Sequence, residues 1–272
     1  MTPPNQITIP QLSRLIGTPD APVVIDVCID EDFIADPRLI PTSFRHPHTD
    51  IAALGPALAG SDVVVICQKG LKLSQGAAAI LRAHGVAASY LEGGVLGWAA
   101  ADQPLIPSNK LPKSISSGNT LWVTRYRPKI DRIACPWLIR RFVDPGAEFL
   151  FVEPEQVLNV ADRFDAVPFD IEGVFWTHRG ETCTFDTMLE EFSLTTEPLV
   201  RLAKIVRGAD TNRHDLAPEA AGLLAASLGF SQMYRDDLEQ LDAGLALYDA
   251  FYRWARDASD EGHDWPAALK TG

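Results

Sequence analysis

Two short apolar runs constrain the fold most. PVVIDVC at 22–28 and DVVVIC at 62–67 are rich in Val and Ile, which is typical of strands buried on both faces. LSQGAAAILRAHG at 73–85 has apolar residues at helical spacing and ends at a glycine, and the strand-like segment ASYLEGG comes soon after. This alternation predicts an α/β fold with a parallel sheet flanked by helices. The carboxyl ends of such strands share one edge, where we expect Cys28 and Cys67.

The length and the composition of the chain predict two domains. A chain of 272 residues can bury two compact cores, and residues 1–107 contain the strand and helix pattern of the first. Residues 108–120 are rich in Ser, Pro, Lys and Asn without apolar periodicity, which predicts a linker. We expect a mostly helical α+β domain at 121–258 and a loosely held tail at 259–272.

Charge and composition narrow the classes of function. The formal net charge of -12 argues against nucleic acid as a partner, because the leading electrostatic term would be repulsive. No run approaches the roughly 18 apolar residues of a membrane helix, so no membrane insertion is predicted. The start of the chain lacks a secretory pattern, and its four cysteines are widely spaced. We therefore expect a cytoplasmic protein with free thiols.

The segment CQKGLKLS is the first candidate site. It follows a buried strand and leads into a helix, so loop amides and the helix dipole favour an anion or a thiolate at its centre. Cys67 is the predicted nucleophile, Lys69 and Lys72 add positive charge, and Gln68 and Gly70 are predicted to bind an oxyanion through their amides. The alternative is a buried structural cysteine that ends a strand.

The segment around this loop resembles a known family. IDV at 25–27, the cysteine loop and LEGGVLGWAAADQPL at 91–105, in that order along the chain, are similar to the rhodanese superfamily over about residues 7–107. The resemblance implies that Cys67 takes a sulfane sulfur from a small donor, holds it as a persulfide and passes it to a thiol acceptor. It also implies that Asp26 is a structural or orienting acid near the loop.

Two further residues bear on the chemistry of the loop. Leu73 stands six residues after Cys67, where phosphatases with similar loops place an arginine, so phosphatase chemistry is not expected. Cys28 is a candidate catalytic residue that could resolve a Cys67 persulfide or sulfenate as a disulfide. The alternative for Cys28 is a small side chain that fills the core.

The second half resembles another family. WVTRYRPKIDRIACPWLIRRFVDPGAEFLFV and FDIEGVFWTHRGETCTFDTMLEEF are similar to the C-terminal domain of ChrB-type chromate-resistance proteins, over about residues 121–230. The resemblance implies a role in survival of chromate, which in some members includes control of an efflux operon through a separate N-terminal DNA-binding part. Here the rhodanese-like segment stands in that place, and the acidic charge also argues against DNA binding.

The second half contains the one cationic segment. Between Leu121 and Arg141 there are six basic residues and a single acid. Arg125 and Arg127 are predicted to share one face of a strand, with Arg132 close by. Clustered guanidinium groups suit a tetrahedral dianion such as chromate or sulfate. The alternative is surface charge paired with the acidic remainder of the domain.

The segment THRGETCTFD is a candidate metal site. It holds the densest group of potential ligands: His178, Glu181, Cys183 and Asp186. A His, a Cys and carboxylates could bind a divalent transition metal as a cofactor, although the spacing matches no standard zinc motif. Weaker candidates to complete the site are Asp131, Cys135 and Asp210. The alternative is a helix cap with core side chains.

The leading functional hypothesis joins the two halves. It is a chromate-resistance-type protein that couples sulfur or thiol chemistry at Cys67 with oxyanion or metal handling in the second domain. Two alternatives stay open: a plain sulfurtransferase whose second domain recruits an acceptor, and a non-catalytic sensor in which Cys67 binds or reports an oxidant. The sequence predicts no oligomeric state.

Overall fold

The computed structural model describes residues 5–113 and 118–262, which we call the N-terminal and C-terminal halves. Of the predicted linker, Ser108–Lys110 forms a short 3₁₀ helix, whereas residues 114–117 lie outside the described residues. Residues 263–272 of the predicted tail also lie outside them.

The N-terminal half is built on a parallel sheet. Its strands are β1 (Gln6–Ile7), β2 (Val23–Asp26), β3 (Arg38–Leu39), β4 (Phe44–Arg45), β5 (Asp62–Ile66), β6 (Ala87–Leu91) and β7 (Ile106–Pro107). Strands β1, β6, β5, β2 and β4 form the sheet in that order, all parallel, and β3 pairs with β7 antiparallel. The two predicted buried runs are adjacent central strands, with Val24 opposite Val64.

Helices flank this sheet. They are α1 (Ile9–Leu15), α2 (Asp30–Ala35), α3 (Lys72–Ala83) and α4 (Gly94–Ala100), with a 3₁₀ helix at His48–Leu54. Thr8 and Gln11 form a capping box that starts α1. Helix α3 packs against β5 and β6, because its buried face carries Ala77, Ala78 and Leu81. The predicted α/β fold with a parallel sheet flanked by helices is confirmed.

The C-terminal half is a small parallel sheet covered by helices. Its strands are β8 (Leu121–Arg125), β9 (Glu148–Val152) and β10 (Val167–Pro168), in the order β10, β8, β9. Its helices are α5 (Asp131–Leu138), α6 (Val157–Phe164), α7 (Thr184–Glu191), α8 (Glu197–Asp210), α9 (Ala220–Met233) and α10 (Asp237–Asp257), and α5 continues into a π-helical turn at Ile139–Val143. None of the described helices combines the length and apolar character that crossing a membrane requires.

The two halves share one hydrophobic core. Ile16 and Trp98 of the N-terminal half belong to the same buried cluster as Phe142 and Tyr252 of the C-terminal half. At Gly17, which has φ +82°, a Cβ would lie 2.3 Å from Cζ of Phe142. Glycine at this position therefore allows the two halves to pack closely, since packed interiors leave little room for an added methyl group.

Candidate functional site

The cysteine loop joins β5 to α3. The Cys67 residue is 4% exposed, and its thiol donates a hydrogen bond of 3.1 Å to Oγ of Ser74, in the first turn of α3. The Ser74 hydroxyl in turn donates to the carbonyl of Leu71, at 3.2 Å. If Cys67 is ionised, the Ser74 hydroxyl can turn and donate to the sulfur instead. Ser74 is a functional candidate that the sequence analysis missed.

The backbone of this loop presents a run of free donors. Among the described residues, no acceptor takes a hydrogen bond from the backbone N–H groups of residues 68–72. N–H groups at the start of a helix have no partner within the helix, and a run of them there suits an anion. Gln68 and Gly70, the predicted oxyanion-binding residues, lie within this run.

Two glycines hold the loop against α4. Gly94 has φ +58°, and a Cβ there would lie 2.1 Å from the carbonyl oxygen of Cys67. Gly70 has φ +67°, and its Cβ would lie 2.4 Å from the carbonyl oxygen of Leu91. The N–H of Val95 donates to the Cys67 carbonyl at 3.1 Å, so this carbonyl of the loop is fixed by α4. Only glycine fits such close backbone contacts.

The other predicted catalytic residues lie around the loop in different settings. Asp26 is buried, and its Oδ1 accepts a hydrogen bond of 2.8 Å from the N–H of Cys28. Cys28 is half-buried and Cys67 is buried, and both are free thiols. Burial, followed by the charge of Asp26, raises the pKa of the Cys28 thiol. Lys69 and Lys72 are exposed, and neither makes an ion pair within the described ranges.

A second cluster lies in the C-terminal half, and we call Asp131, Asp170, His178 and Asp210 the carboxylate–imidazole cluster. Nε2 of His178 lies 3.2 Å from Oδ2 of Asp210, 3.4 Å from Oδ2 of Asp131 and 3.5 Å from Oδ1 of Asp170. The four residues come from the start of α5, the segment after β10, the segment before α7 and the end of α8. Asp170 and His178 line a surface cavity of about 700 Å³.

Neighbouring groups orient two of the carboxylates. Asp131 is fully buried, and its Oδ2 accepts a hydrogen bond of 2.6 Å from the N–H of Thr184. The Thr184 hydroxyl donates to Oδ1 of Asp170 at 2.8 Å. Arg125 and Arg132 approach Oδ2 of Asp170 at 3.2 and 3.3 Å. Oδ1 of Asp131, by contrast, is buried with no partner among the described residues.

The cluster shifts the ionisation of its members. Burial raises the pKa of Asp131. Burial alone would raise the pKa of Asp170 as well. Hydrogen bonds from His178 and Thr184, together with the charges of two arginines, outweigh burial, and the pKa of Asp170 is lowered. Hydrogen bonds to Asp131, Asp170 and Asp210 raise the pKa of His178. The raised pKa favours the protonated ring of His178, whose Nε2 faces oxygens of three carboxyl groups.

The predicted arginine face does not form. Strand β8 ends at Arg125, and Arg127 has φ +55°, so the chain turns before Arg127 is reached. The Arg127 guanidinium donates to the carbonyl of Tyr234 at 3.2 Å and to the carbonyl of Ser231. The prediction that Arg125 and Arg127 share a strand face is therefore wrong. With Arg125 and Arg132 directed at Asp170, the three guanidinium groups do not converge on one open anion site.

Three of the four predicted metal ligands are not members of the cluster. Glu181 pairs with Arg213 at 3.0 Å on the surface. Asp186 accepts from the N–H of Cys183 at 3.0 Å and pairs with Arg207 at 3.1 Å, so it caps α7. Burial raises the pKa of the Cys183 thiol, which keeps it protonated. The structure does not bring the predicted set of four together, because these side chains already serve the helix cap and the surface.

His178 is the predicted ligand that does lie in the cluster. Asp131 and Asp210, the weaker candidates from the sequence, lie beside it, whereas burial raises the pKa of Cys135 and leaves its thiol inert. Asp170 was missed. It belongs to the quoted segment FDIEGVFWTHRGETCTFDTMLEEF and lies just after the very short strand β10, at the carboxyl edge of a parallel sheet.

The fold and the cysteine loop define the class of the N-terminal half, which is a rhodanese-like domain. The family model for the rhodanese-like domain matches residues 8–101, and the model for the C-terminal domain of ChrB matches residues 122–255. The chain therefore combines a rhodanese-like domain with a ChrB C-terminal domain, and both predicted resemblances are confirmed.

Individual relatives match one half each. Protein ChrB of Cupriavidus metallidurans is 36% identical over 132 residues, which are 48% of this chain and only 39% of that protein. A rhodanese-related protein from Thermoplasma volcanium is 23% identical, with 38% of this chain and 97% of that structure covered and a TM-score of 0.33. A rhodanese-like domain protein from Staphylococcus aureus is 25% identical, with 35% and 90% covered and a TM-score of 0.31.

Proposed function

We propose that this chain is a chromate-resistance-type protein whose rhodanese-like domain carries sulfane sulfur on Cys67. The observation that carries the proposal is the run of free backbone N–H groups at 68–72, next to the cysteine and at the start of α3. The outer sulfur of a persulfide is anionic, and such donors stabilise an anion. The exposed Lys69 and Lys72 add a positive potential that attracts an anionic donor.

The transfer needs no external oxidant or reductant. The Cys67 thiolate attacks the sulfane sulfur of a donor such as thiosulfate, the sulfur–sulfur bond of the donor breaks, and sulfite leaves with the electron pair. Cys67 is then a persulfide. A thiol or cyanide attacks the outer sulfur, and Cys67 leaves as a thiolate. The Ser74 hydroxyl, 3.1 Å from the Cys67 sulfur, stabilises this leaving group.

The C-terminal half supports the link to chromate through its similarity to Protein ChrB. In our proposal this half handles a ligand of the resistance response, either an oxyanion such as chromate or a metal ion. We favour a metal ion over an oxyanion. The guanidinium groups of Arg125 and Arg132, which could bind an oxyanion, are already paired with Asp170. In the cell, the protein would meet its small sulfur donor and its thiol acceptor in the reducing cytoplasm.

Thiosulfate-to-cyanide transfer by the full chain tests the role of Cys67. We expect Cys67→Ser to abolish thiocyanate formation, and mass spectrometry to find one added sulfur on the Cys67 peptide of the wild type only. Cys183→Ser is the matched control, since serine suits the helix cap that Cys183 occupies. Equal activity of wild type and Cys67→Ser would contradict the proposal. No transfer from any donor, together with rapid oxidation of Cys67 by peroxide, would favour a sensor.

A further inference from the structure

We propose that Asp131, Asp170 and His178 bind a divalent first-row transition-metal ion, with Asp210 as a fourth group. One donor atom from each of the first three residues can be chosen so that all lie within 4.8 Å of one another. In a metal site with bonds of about 2.0–2.2 Å, opposite ligand atoms lie about 4 Å apart. A small inward movement of these side chains would therefore let the three donor atoms bind one ion. The metal site stands on these side chains alone and does not depend on sulfur chemistry at Cys67.

The hydrogen bonding of His178 supports a metal ion. Its Nε2 faces carboxylate oxygens of three residues at 3.2, 3.4 and 3.5 Å. A single N–H donates well along one direction, and good N–H···O bonds are about 2.7–3.2 Å long. One proton therefore satisfies at most one of the three carboxylates. A metal ion in the same place binds several oxygens at once, after Nε2 has released its proton to solvent.

The orphaned oxygen of Asp131 is an independent indication. Asp131 is 0% exposed, and its Oδ1 has no hydrogen-bond partner in the described part of the chain. A buried carboxylate oxygen without a partner is costly, because it has lost its hydration without replacement. The other oxygen of the same carboxylate faces Nε2 of His178, so the group is directed into the cluster. A bound cation would offset this cost.

Neighbouring residues hold the proposed ligands in place through hydrogen bonds and ion pairs. Thr184 donates through its N–H to Asp131 and through its hydroxyl to Asp170, and so fixes two ligands with one residue. Arg125 and Arg132 hold Oδ2 of Asp170. Partners of this kind orient ligands and tune the affinity of a site for its metal. The cavity beside Asp170 and the half-exposed His178 provide a path for entry.

The donor set selects the class of ion. Carboxylate oxygens with one imidazole nitrogen suit ions such as Mn²⁺, Fe²⁺ or Zn²⁺, whereas soft ions prefer thiolates. With His178 neutral, as a ligand must be, three carboxylates outnumber the guanidinium groups of Arg125 and Arg132, so the site carries negative charge. This charge attracts a cation and repels a dianion such as chromate.

Titration of the full chain with Mn²⁺, after removal of metal by a chelator, tests the site by calorimetry and electron paramagnetic resonance. We expect His178→Ala and Asp131→Asn to weaken Mn²⁺ binding by more than about 100-fold, beyond the roughly 10- to 100-fold cost of losing a supporting partner. Glu181→Gln is the matched control, since this carboxylate lies three residues from His178 but pairs with Arg213 at the surface. Its affinity should not change.

A second measurement keeps the test valid if a variant unfolds. In the wild type, nuclear magnetic resonance of ¹⁵N-labelled histidine should show the His178 ring nitrogens shift to the values of a metal-bound ring when Zn²⁺ is added. No binding by the wild type, or equal Mn²⁺ affinity in a folded His178→Ala, would overturn the proposal. Sulfur transfer measured with and without the chelator separates a failure of this site from a failure of the chemistry at Cys67.

Discussion

The two candidate sites are built from different parts of the chain. The cysteine loop uses consecutive residues, since Cys67, the free N–H groups of 68–72 and Ser74 lie within eight positions of sequence. The carboxylate–imidazole cluster uses side chains from four segments that meet only in the folded protein. The first site should therefore be sensitive to any change that moves the backbone, and the second to the loss of single polar atoms.

Gly94→Ala should have the largest effect, because it pushes on the backbone of the cysteine loop. The new Cβ would lie 2.1 Å from the carbonyl oxygen of Cys67 and 2.4 Å from the N of Gly70, at a residue with φ +58°. We expect the free energy of unfolding to fall by more than about 2 kcal/mol, from left-handed strain and overpacking together. Sulfur transfer should be lost with it. Thermal unfolding and the thiosulfate assay measure both effects.

The control for this change is Gly76→Ala, in α3. A Cβ at Gly76 meets nothing within 4 Å, and alanine favours a helix interior over glycine by roughly 0.5–1 kcal/mol. Stability should stay equal or rise, with full sulfur transfer. Equal behaviour of Gly94→Ala and Gly76→Ala would show that the close contact between α4 and the loop has no role.

Thr184→Val should have the next largest effect, on the second site alone. The change removes the hydroxyl that donates to Asp170 and keeps the backbone N–H that donates to Asp131. We expect Mn²⁺ affinity to fall by roughly 10- to 100-fold, which is the usual cost of losing a supporting partner. Calorimetry measures this, and sulfur transfer should not change.

Thr187→Val separates a loss of metal affinity from a general loss of stability in α7. The Thr187 hydroxyl donates to the carbonyl of Thr177 at 2.8 Å, and the residue is as buried as Thr184. Among the described residues, this hydroxyl makes no hydrogen bond to a ligand of the cluster. We expect Mn²⁺ affinity to stay at the wild-type value. If both threonine variants lose affinity equally, Thr184 does not act through Asp170.

A site made of consecutive residues is easier to predict from sequence than one made of residues from four segments. The cysteine loop was predicted because a buried strand, a short loop and a helix are adjacent in sequence, and their periodicities differ. The fold of the N-terminal half follows from the same local signals. Gly94 was part of the quoted motif, but its contact with Cys67 depends on the packing of α4, which no local pattern specifies.

The second site was predicted only in part, since its ligands are far apart in sequence. The proximity of His178, Glu181, Cys183 and Asp186 along the chain suggested a site, yet capping of α7 uses Cys183 and Asp186 instead. Asp170 follows a strand of only two residues, too short for a periodic signal. The expected strand face of arginines failed because the positive φ at Arg127 ends the extended conformation.

Ser74→Ala should have a moderate effect on the first site. It removes the hydroxyl 3.1 Å from the Cys67 sulfur but leaves the backbone donors in place. A hydrogen bond to a charged group contributes about 1.5 kcal/mol or somewhat more, so we expect sulfur transfer to slow by roughly 10-fold. Ser74→Thr, which keeps a hydroxyl, should restore most of the rate. A full rate in Ser74→Ala would show that the amides alone stabilise the sulfur.

Cys28→Ser should have the smallest effect, although Cys28 is more exposed than Cys67. Burial and the nearby Asp26 raise the pKa of the Cys28 thiol, so it stays protonated where an ordinary cysteine, with a pKa of about 8.5, begins to ionise. Only a thiolate attacks a persulfide or a sulfenate. We therefore expect sulfur transfer to change by less than about twofold, because the reactive fraction of Cys28 is small.

Alkylation and peroxide treatment of the wild type give the matching measurement for Cys28. Iodoacetamide should label Cys28 slowly even near pH 8.5, where about half of an ordinary cysteine is ionised, because the raised pKa moves ionisation to higher pH. After mild peroxide, mass spectrometry should find Cys67 oxidised, without the loss of two hydrogen atoms that a Cys28–Cys67 disulfide would cause. A rapid Cys28–Cys67 disulfide would instead assign Cys28 the resolving role, and would mean that the site needs a second side chain besides its backbone donors.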